Sequence, residues 1–350
     1  MNQKEVVNIL KLIYEENADN NPCIFIDGDW GVGKTYSINS LKEEENEEIK
    51  FKYVSVFGKN ELEQIEKDLI MQLLTITNKM NKIKDNNTIK LFGNIVTEAL
   101  KIGGIDVNFS DLLNNLRIEN IGPKFGERVV LCIDDLERKS PNVEIKDLLG
   151  LIERASTNYS VIFIANSAKF DHDDRETLNE YKEKLIDFQF TINQIDLETL
   201  EKVAHLGSNG LSIEIQKSIS RIYLNNLNDE LNQGKRLNNI RQFRKCIELI
   251  QRISDVVVEM KHPNDSFVID EDIVILCMKV IDEYFHSSPE DTKKNWLTTN
   301  YKKAMYDAFR SIFLFEPYDD TVLQDYLIQN SEISKDVRKL YSGSVALHKS

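Results

Sequence analysis

Cysteine is scarce in this chain, with four in 350 residues at Cys23, Cys132, Cys246 and Cys277, widely spaced and never in a Cys-x-x-Cys pair. That spacing offers no metal-ligand pattern and reads as reduced core thiols of a cytosolic protein. Positive charge is also short. The formal net charge of -14 argues against a general nucleic-acid binder, although a local basic stripe is compatible with it. No apolar run approaches the ~18 residues that a membrane span needs. No signal peptide is expected either, because Met1 to Glu5 leads straight into an amphipathic stretch with Val6, Ile9, Leu10 and Ile13 at helical spacing. The chain has no repeat of fixed period and no low-complexity tract. It lacks an Asn-Lys-x-Asp guanine motif and the Leu-Ser-Gly-Gly-Gln signature of ABC ATPases, and no Cys-His or Ser-His pairing stands in a catalytic context.

What is there is organised around Gly28-Asp29-Trp30-Gly31-Val32-Gly33-Lys34-Thr35. This is a Gly-x4-Gly-Lys-[Ser/Thr] stretch after the apolar run 23–27 and before a helix that starts near Tyr36, the context in which such a loop cradles phosphates. The glycines let successive N–H groups turn inward. Lys34 is then placed for the β- and γ-phosphates and the Thr35 hydroxyl for Mg²⁺. Residues 51–57 alternate and predict a strand, and residues 60–76 predict a helix. Arg128 to Ile133 form an apolar strand ending in Asp134 and Asp135. Mg²⁺ takes only one or two protein ligands, so Asp134 is the candidate to hold a metal water, and Asp135 the candidate to orient or deprotonate the attacking water, with Glu137 as its rival. Val161 to Ala165 form a further apolar strand that ends in Asn166, a candidate γ-phosphate group, and residues 188–192 predict a last strand.

Strands alternating with helices, several of them apolar throughout, predict an α/β fold: a parallel sheet sandwiched by helices. The 51–57 strand lies between the P-loop strand and the acidic strand, which suits the additional-strand class of P-loop ATPases and favours ATP over GTP. Residues 78–127 read as an insertion holding the amphipathic stretch 89–100. After residue 195 the strand signal stops and the chain reads as helix to its end. The expected organisation is a P-loop domain over 1–195, a helical lid over 196–260 and a helical C-terminal domain over 261–350. Asp171-His172-Asp173-Asp174 reads as a solvated loop. The stretch 234–245 is a basic helix start suited to phosphate contacts or to bringing an arginine to the nucleotide. Apolar and aromatic residues over 270–285 and 295–315 read mostly as the core of a small helical domain, the remainder as a surface for a protein partner.

Taken together, these stretches resemble the KAP family of P-loop NTPases over about residues 20 to 250. The tryptophan-bearing P-loop 28–35 matches, as does Ile133-Asp134-Asp135-Leu136-Glu137-Arg138, where Glu137 replaces the family's second-box Asp. Tyr181-Lys182-Glu183-Lys184-Leu185-Ile186 is similar to the family's Tyr-x-x-Lys-Ile-Ile segment, and Asn239-Ile240-Arg241 stands where the family has Asn-Pro-Arg. The resemblance, through kinship with AAA+ and STAND ATPases, implies a lid arginine, here Arg241, that senses the γ-phosphate. Many members carry transmembrane helices between the two nucleotide motifs, whereas this chain has only the 78–127 segment there. The resemblance further implies a cytoplasmic Mg-ATP-driven switch acting on a protein partner, with nucleotide-dependent self-association and a place in bacterial antiviral defence among its expectations. A nucleotide-stabilised scaffold with little turnover and a DNA- or RNA-stimulated ATPase are the alternatives.

Overall fold

The structure, a computed structural model, describes residues 1–16, 20–43, 49–78, 116–123, 128–208, 210–227, 238–259, 268–286, 300–318, 321 and 345–346. The chain divides into two compact units. Met1, Glu5–Asp29 and Lys34–Asn193 form the first; Asn2–Lys4, Trp30–Gly33 and Gln194–Ser350 form the second.

The first unit is a five-stranded sheet with all pairs parallel, in the order β2-β3-β4-β1-β5. Its strands are β1 Cys23–Gly28, β2 Ile49–Ser55, β3 Arg128–Asp134, β4 Ser160–Ala165 and β5 Phe188–Ile192. Side chains alternate between the two faces of each strand. Phe25, Leu131, Ile133, Val161 and Phe163 bury into one core with helices α3 Leu62–Asn78, α4 Ile145–Ser156 and α5 His172–Leu185. Ile24, Ile26, Val130, Cys132, Ile162 and Ile164 alternate with them and are equally buried. Continuous apolar strands are what a sheet covered on both faces requires. The register sets Phe25 beside Phe163, and their rings stack at 4.8 Å and 14°, a pair that contributes about 0.5–1.5 kcal/mol beyond its buried area. Helix α1, Gln3–Glu16, buries Val6, Leu10, Ile13 and Tyr14, with Tyr14 edge-on to Phe51.

Three features differ from the sequence expectation. The 51–57 strand starts and ends two residues earlier, at Ile49–Ser55, and the Val56 amide that follows it donates to the Asp134 carbonyl of β3 at 2.9 Å. In the sheet it takes the edge, and β4 is the strand that stands between β1 and β3. Asp171 to Asp174 do not form a loop: Asp171 caps α5, its carboxylate accepting from the Asp174 amide at 2.8 Å, which satisfies one of the amide donors a helix start leaves open. Of the expected insertion, Leu116–Pro123 is described and holds a 3-10 turn, Ile118–Asn120, whose Ile118 is buried in the sheet core. The amphipathic stretch 89–100 lies outside the described residues.

The second unit is helical, with α6 Leu197–Gly207, α7 Ile213–Leu227, α8 Ile240–Glu259, α9 Glu271–His286 and α10 Asn300–Leu314. Among its described residues it departs from all-helix where Val268–Ile269 (β6) pairs antiparallel with Val345–Ala346 (β7). Helix α8 buries Phe243, Cys246, Ile247, Ile250 and Ile253, a spacing that makes one continuous apolar stripe. Ile273, Val274, Tyr306 and Phe309 are core, whereas Tyr284, Phe285 and Phe315 are exposed. All four cysteines are free and buried, two in each unit.

Candidate functional site

Parallel strands deliver whatever follows their apolar run to one edge of the sheet, and in the first unit those residues are polar. Helix α2, Lys34–Glu43, opens immediately after the loop that leaves β1. The Lys34 amine is buried and donates to the Gly28 carbonyl at 2.6 Å and the Asp29 carbonyl at 3.0 Å. Burial lowers its pKa from the ordinary value of 10.5, against the pull of Glu137 first, then Asp134, Asp27 and Asp29. Thr35 donates its hydroxyl to Asp134 Oδ2 at 2.6 Å, and the Tyr53 hydroxyl reaches the same oxygen at 2.8 Å. Burial raises the Asp134 carboxyl above its ordinary value, and those two hydroxyls oppose the rise.

Beyond Asp134 the backbone turns sharply. Asp135 has φ 64°, a left-handed conformation in which Asp is one of the few tolerated non-glycine residues. The turn aims its carboxylate at Ser55, which donates to Oδ2 at 2.7 Å, and at Arg138, 3.6 Å from Oδ1. The Arg138 guanidinium in turn covers the Phe57 ring at 3.6 Å. Glu137 takes another direction: its Oε2 accepts from the Asn166 amide at 3.1 Å. Asn166 is 2% exposed, and its Nδ2 is a buried donor with no hydrogen-bond partner among the described residues. Asp27, at the end of β1, accepts from the amides of Gly28 and Ser167 at 2.8 and 2.9 Å and from the Ser167 hydroxyl.

Trp30–Gly33 group with the second unit because three successive carbonyls of this stretch are bonded within it. Asn239 Nδ2 donates to Trp30 O at 3.3 Å, the Ile240 amide to Gly31 O at 2.7 Å, and Gln3 Nε2 to Val32 O. The approach requires glycine. Gly31 and Gly33 have φ of 82° and 95°, and a Cβ on Gly31 would fall 2.1 Å from Asn239 Oδ1. The same Oδ1 caps α8 by accepting from the Arg241 amide at 2.9 Å.

Of the residues expected from the sequence, the first unit brings together Lys34, Thr35, Asp134, Glu137 and Asn166. Asp135 is adjacent in sequence but directed to Ser55 and Arg138. Tyr36 is half-buried on α2 and Trp30 is 48% exposed. Arg241 lies in the second unit, exposed on the first turn of α8, and the basic residues 234–237 before it lie outside the described residues. Sequence reasoning missed Tyr53, Ser55, Asp27, Ser167 and Gln3. Tyr53 and Ser55 share one face of β2, two residues apart, and that spacing was the signal available for them.

The KAP family P-loop domain matches residues 2–257. No curated protein matches the chain. Among solved structures, the chain is similar to the Aeropyrum pernix ORC2 protein in its ADP form, at 14% identity and a TM-score of 0.44, over 79% of this chain and 67% of that one. It is also similar to Cdc6p from Pyrobaculum aerophilum, at 11% identity and a TM-score of 0.42, over 93% and 94%. Drosophila ORC bound to DNA matches at 14% identity and a TM-score of 0.38, over 94% and 77%. Among the described residues no helix is long and apolar enough to cross a membrane.

Proposed function

The chain belongs to the KAP family of P-loop NTPases, and from that premise we propose that it binds and hydrolyses Mg-ATP as a switch. One observation carries the reading: Asn166 Nδ2 is a buried donor left without a partner among the described residues, on the sheet edge that also presents Lys34 and Asp134. A buried donor left unsatisfied costs about 1–3 kcal/mol, a cost that a phosphate oxygen accepting its hydrogen bond would remove.

The residues fit the group. Lys34 holds a cation on the loop's own carbonyls, poised to exchange them for phosphate oxygens. Thr35 and Asp134, already in contact at 2.6 Å, would hold Mg²⁺, the hydroxyl directly and the carboxylate through water. The bound ion supplies neutralisation of the developing phosphate charge. Tyr53 keeps Asp134 oriented. Glu137 is the acid we assign to accept the proton of the attacking water, because its carboxylate is bonded to the Asn166 amide beside that residue's open donor. Asp135, tied to Ser55 and Arg138, shapes the turn that aims Glu137.

Arg241 at the start of α8 is the candidate γ-phosphate sensor, and the family kinship supports action through a partner effector, including one of antiviral defence. The test is the turnover of Mg-ATP by the purified chain, alone and with the proteins that co-purify from its host. Turnover that changes on their addition is expected. Absence of turnover in both, with nucleotide still bound, would replace the switch with a nucleotide-stabilised scaffold.

A further inference from the structure

Gln3 opens helix α1, where a glutamine has no helical reason to be buried, yet it is 2% exposed. Its carboxamide uses three hydrogen-bonding positions. Nε2 donates to Val32 O in the P-loop and to Gln194 O at 3.0 Å, and Oε1 accepts from the Asp196 amide at 3.1 Å. Asp196 is the N-cap of α6, its side chain accepting from the Thr199 amide at 2.7 Å. Lys4 adds its amide to Asp196 Oδ2 at 3.1 Å and its ammonium to Glu198 at 2.7 Å. Gln3 also occupies the space that a side chain on Gly33 would need, its Cγ lying 3.0 Å from where that Cβ would be.

The bond to Val32 O has a directional consequence. In a trans peptide the carbonyl and the next N–H point opposite ways, so holding the carbonyls of Trp30, Gly31 and Val32 fixes the outward direction of the amides of Gly31, Val32 and Gly33. Those amides are the donors with which a P-loop receives phosphate. Two of the three carbonyls are held by Asn239 and Ile240 at the start of α8, and the third is held by Gln3.

We infer that Gln3 is a positioning residue: its carboxamide fixes the P-loop peptide after Val32 and, through Gln194 and Asp196, ties the loop's nucleotide state to the root of helix α6. This rests on the nucleotide reading above. A ligand that pulls on the loop amides rotates the Val32 peptide, and the same carboxamide cannot follow it without shifting its bonds to Gln194 O and the Asp196 amide.

The test uses Gln3→Met, which keeps the volume and removes donor and acceptor, and Gln3→Glu, which sets a carboxylate against two carbonyls. Mg-ATP affinity is read from Trp30 fluorescence in a Trp296→Phe background, with Lys34→Ala beside it. About tenfold weaker binding is expected for both Gln3 variants. In the unaltered chain Mg-ATP slows hydrogen exchange at the amides of residues 196–200, and the Gln3 variants lose that response. A purely structural role would lower the melting temperature equally with and without nucleotide and leave the response intact. Affinity within about twofold of the parent, with the exchange response kept, overturns the inference. A parent chain that does not bind Mg-ATP, or a Lys34→Ala form that binds it equally well, overturns the nucleotide reading itself. Should neither Gln3 variant fold, the exchange response of the unaltered chain decides, and its absence at 196–200 rejects the coupling.

Discussion

Hydroxyl groups are used differently in the two units. In the helical unit the buried serine hydroxyls Ser208 and Ser220 turn back on the chain four residues earlier, donating to Ala204 O and Gln216 O, while the Tyr306 hydroxyl donates to Glu283 on the neighbouring helix. In the sheet unit four hydroxyls gather on carboxylates of other elements at one edge of the sheet. Thr35 and Tyr53 donate to Asp134, Ser55 to Asp135 and Ser167 to Asp27, across 80 to 140 residues of chain for the last two. A local back-bond costs the fold little and specifies nothing at a distance. Around Asp134 two such hydroxyls hold an acid whose charge burial resists, a combination that marks a functional site.

The comparison is broken most severely by removing an acid that we place in the reaction. Glu137→Gln should leave Mg-ATP binding in place and slow hydrolysis at least ~100-fold, as loss of a general base does, whereas Asp135→Asn should have the smaller effect. Single-turnover measurements on both decide the assignment, and the reverse ranking would return the base to Asp135.

The contrast also explains what the sequence could reveal. Asp134 and Asn166 were legible because each follows a continuous apolar run, and a buried parallel strand delivers a polar residue to the sheet edge, whereas Lys34 was legible from the glycine-rich Gly-x4-Gly-Lys-Thr loop that carries it. The order of strands was not legible. Nothing in the spacing of residues 49–55 tells an edge strand from a central one, and only the register with β3 brings Ser55 beside Asp134. Gln3 left no trace either, since one polar residue at a helix start has no period, and its partners lie 29 to 193 residues away.

A second, gentler break is to neutralise Asp134. Its folded pKa is raised above the ordinary 3.8, with burial as the largest cause. The folded chain therefore holds that proton more tightly than the unfolded chain, and stability falls as pH rises from 3.8 through the folded value. Asp134→Asn should remove that slope. In nucleotide-free protein with chelator present, urea midpoints between about pH 4 and pH 7 should decline less for the variant than for the parent.

The smallest effect lies on the other side of the comparison. Ser220→Ala should change stability by less than about 1 kcal/mol and leave Mg-ATP affinity untouched, because its hydroxyl serves a carbonyl that the helix already bonds. Thermal melts and the Trp30 titration together would check it, and a loss of affinity would mean that the Ser220 hydroxyl is not merely local.

The four buried thiols lend themselves to timing. Burial pushes Cys23 up to about 12 and holds Cys132, Cys246 and Cys277 higher still, so none presents a thiolate to an alkylating reagent while its surroundings are closed. Two of them sit in the sheet unit and two in the helical unit. Each label that appears on a peptide therefore dates the opening of one half of the molecule, and the native sequence already carries a separate clock for each half.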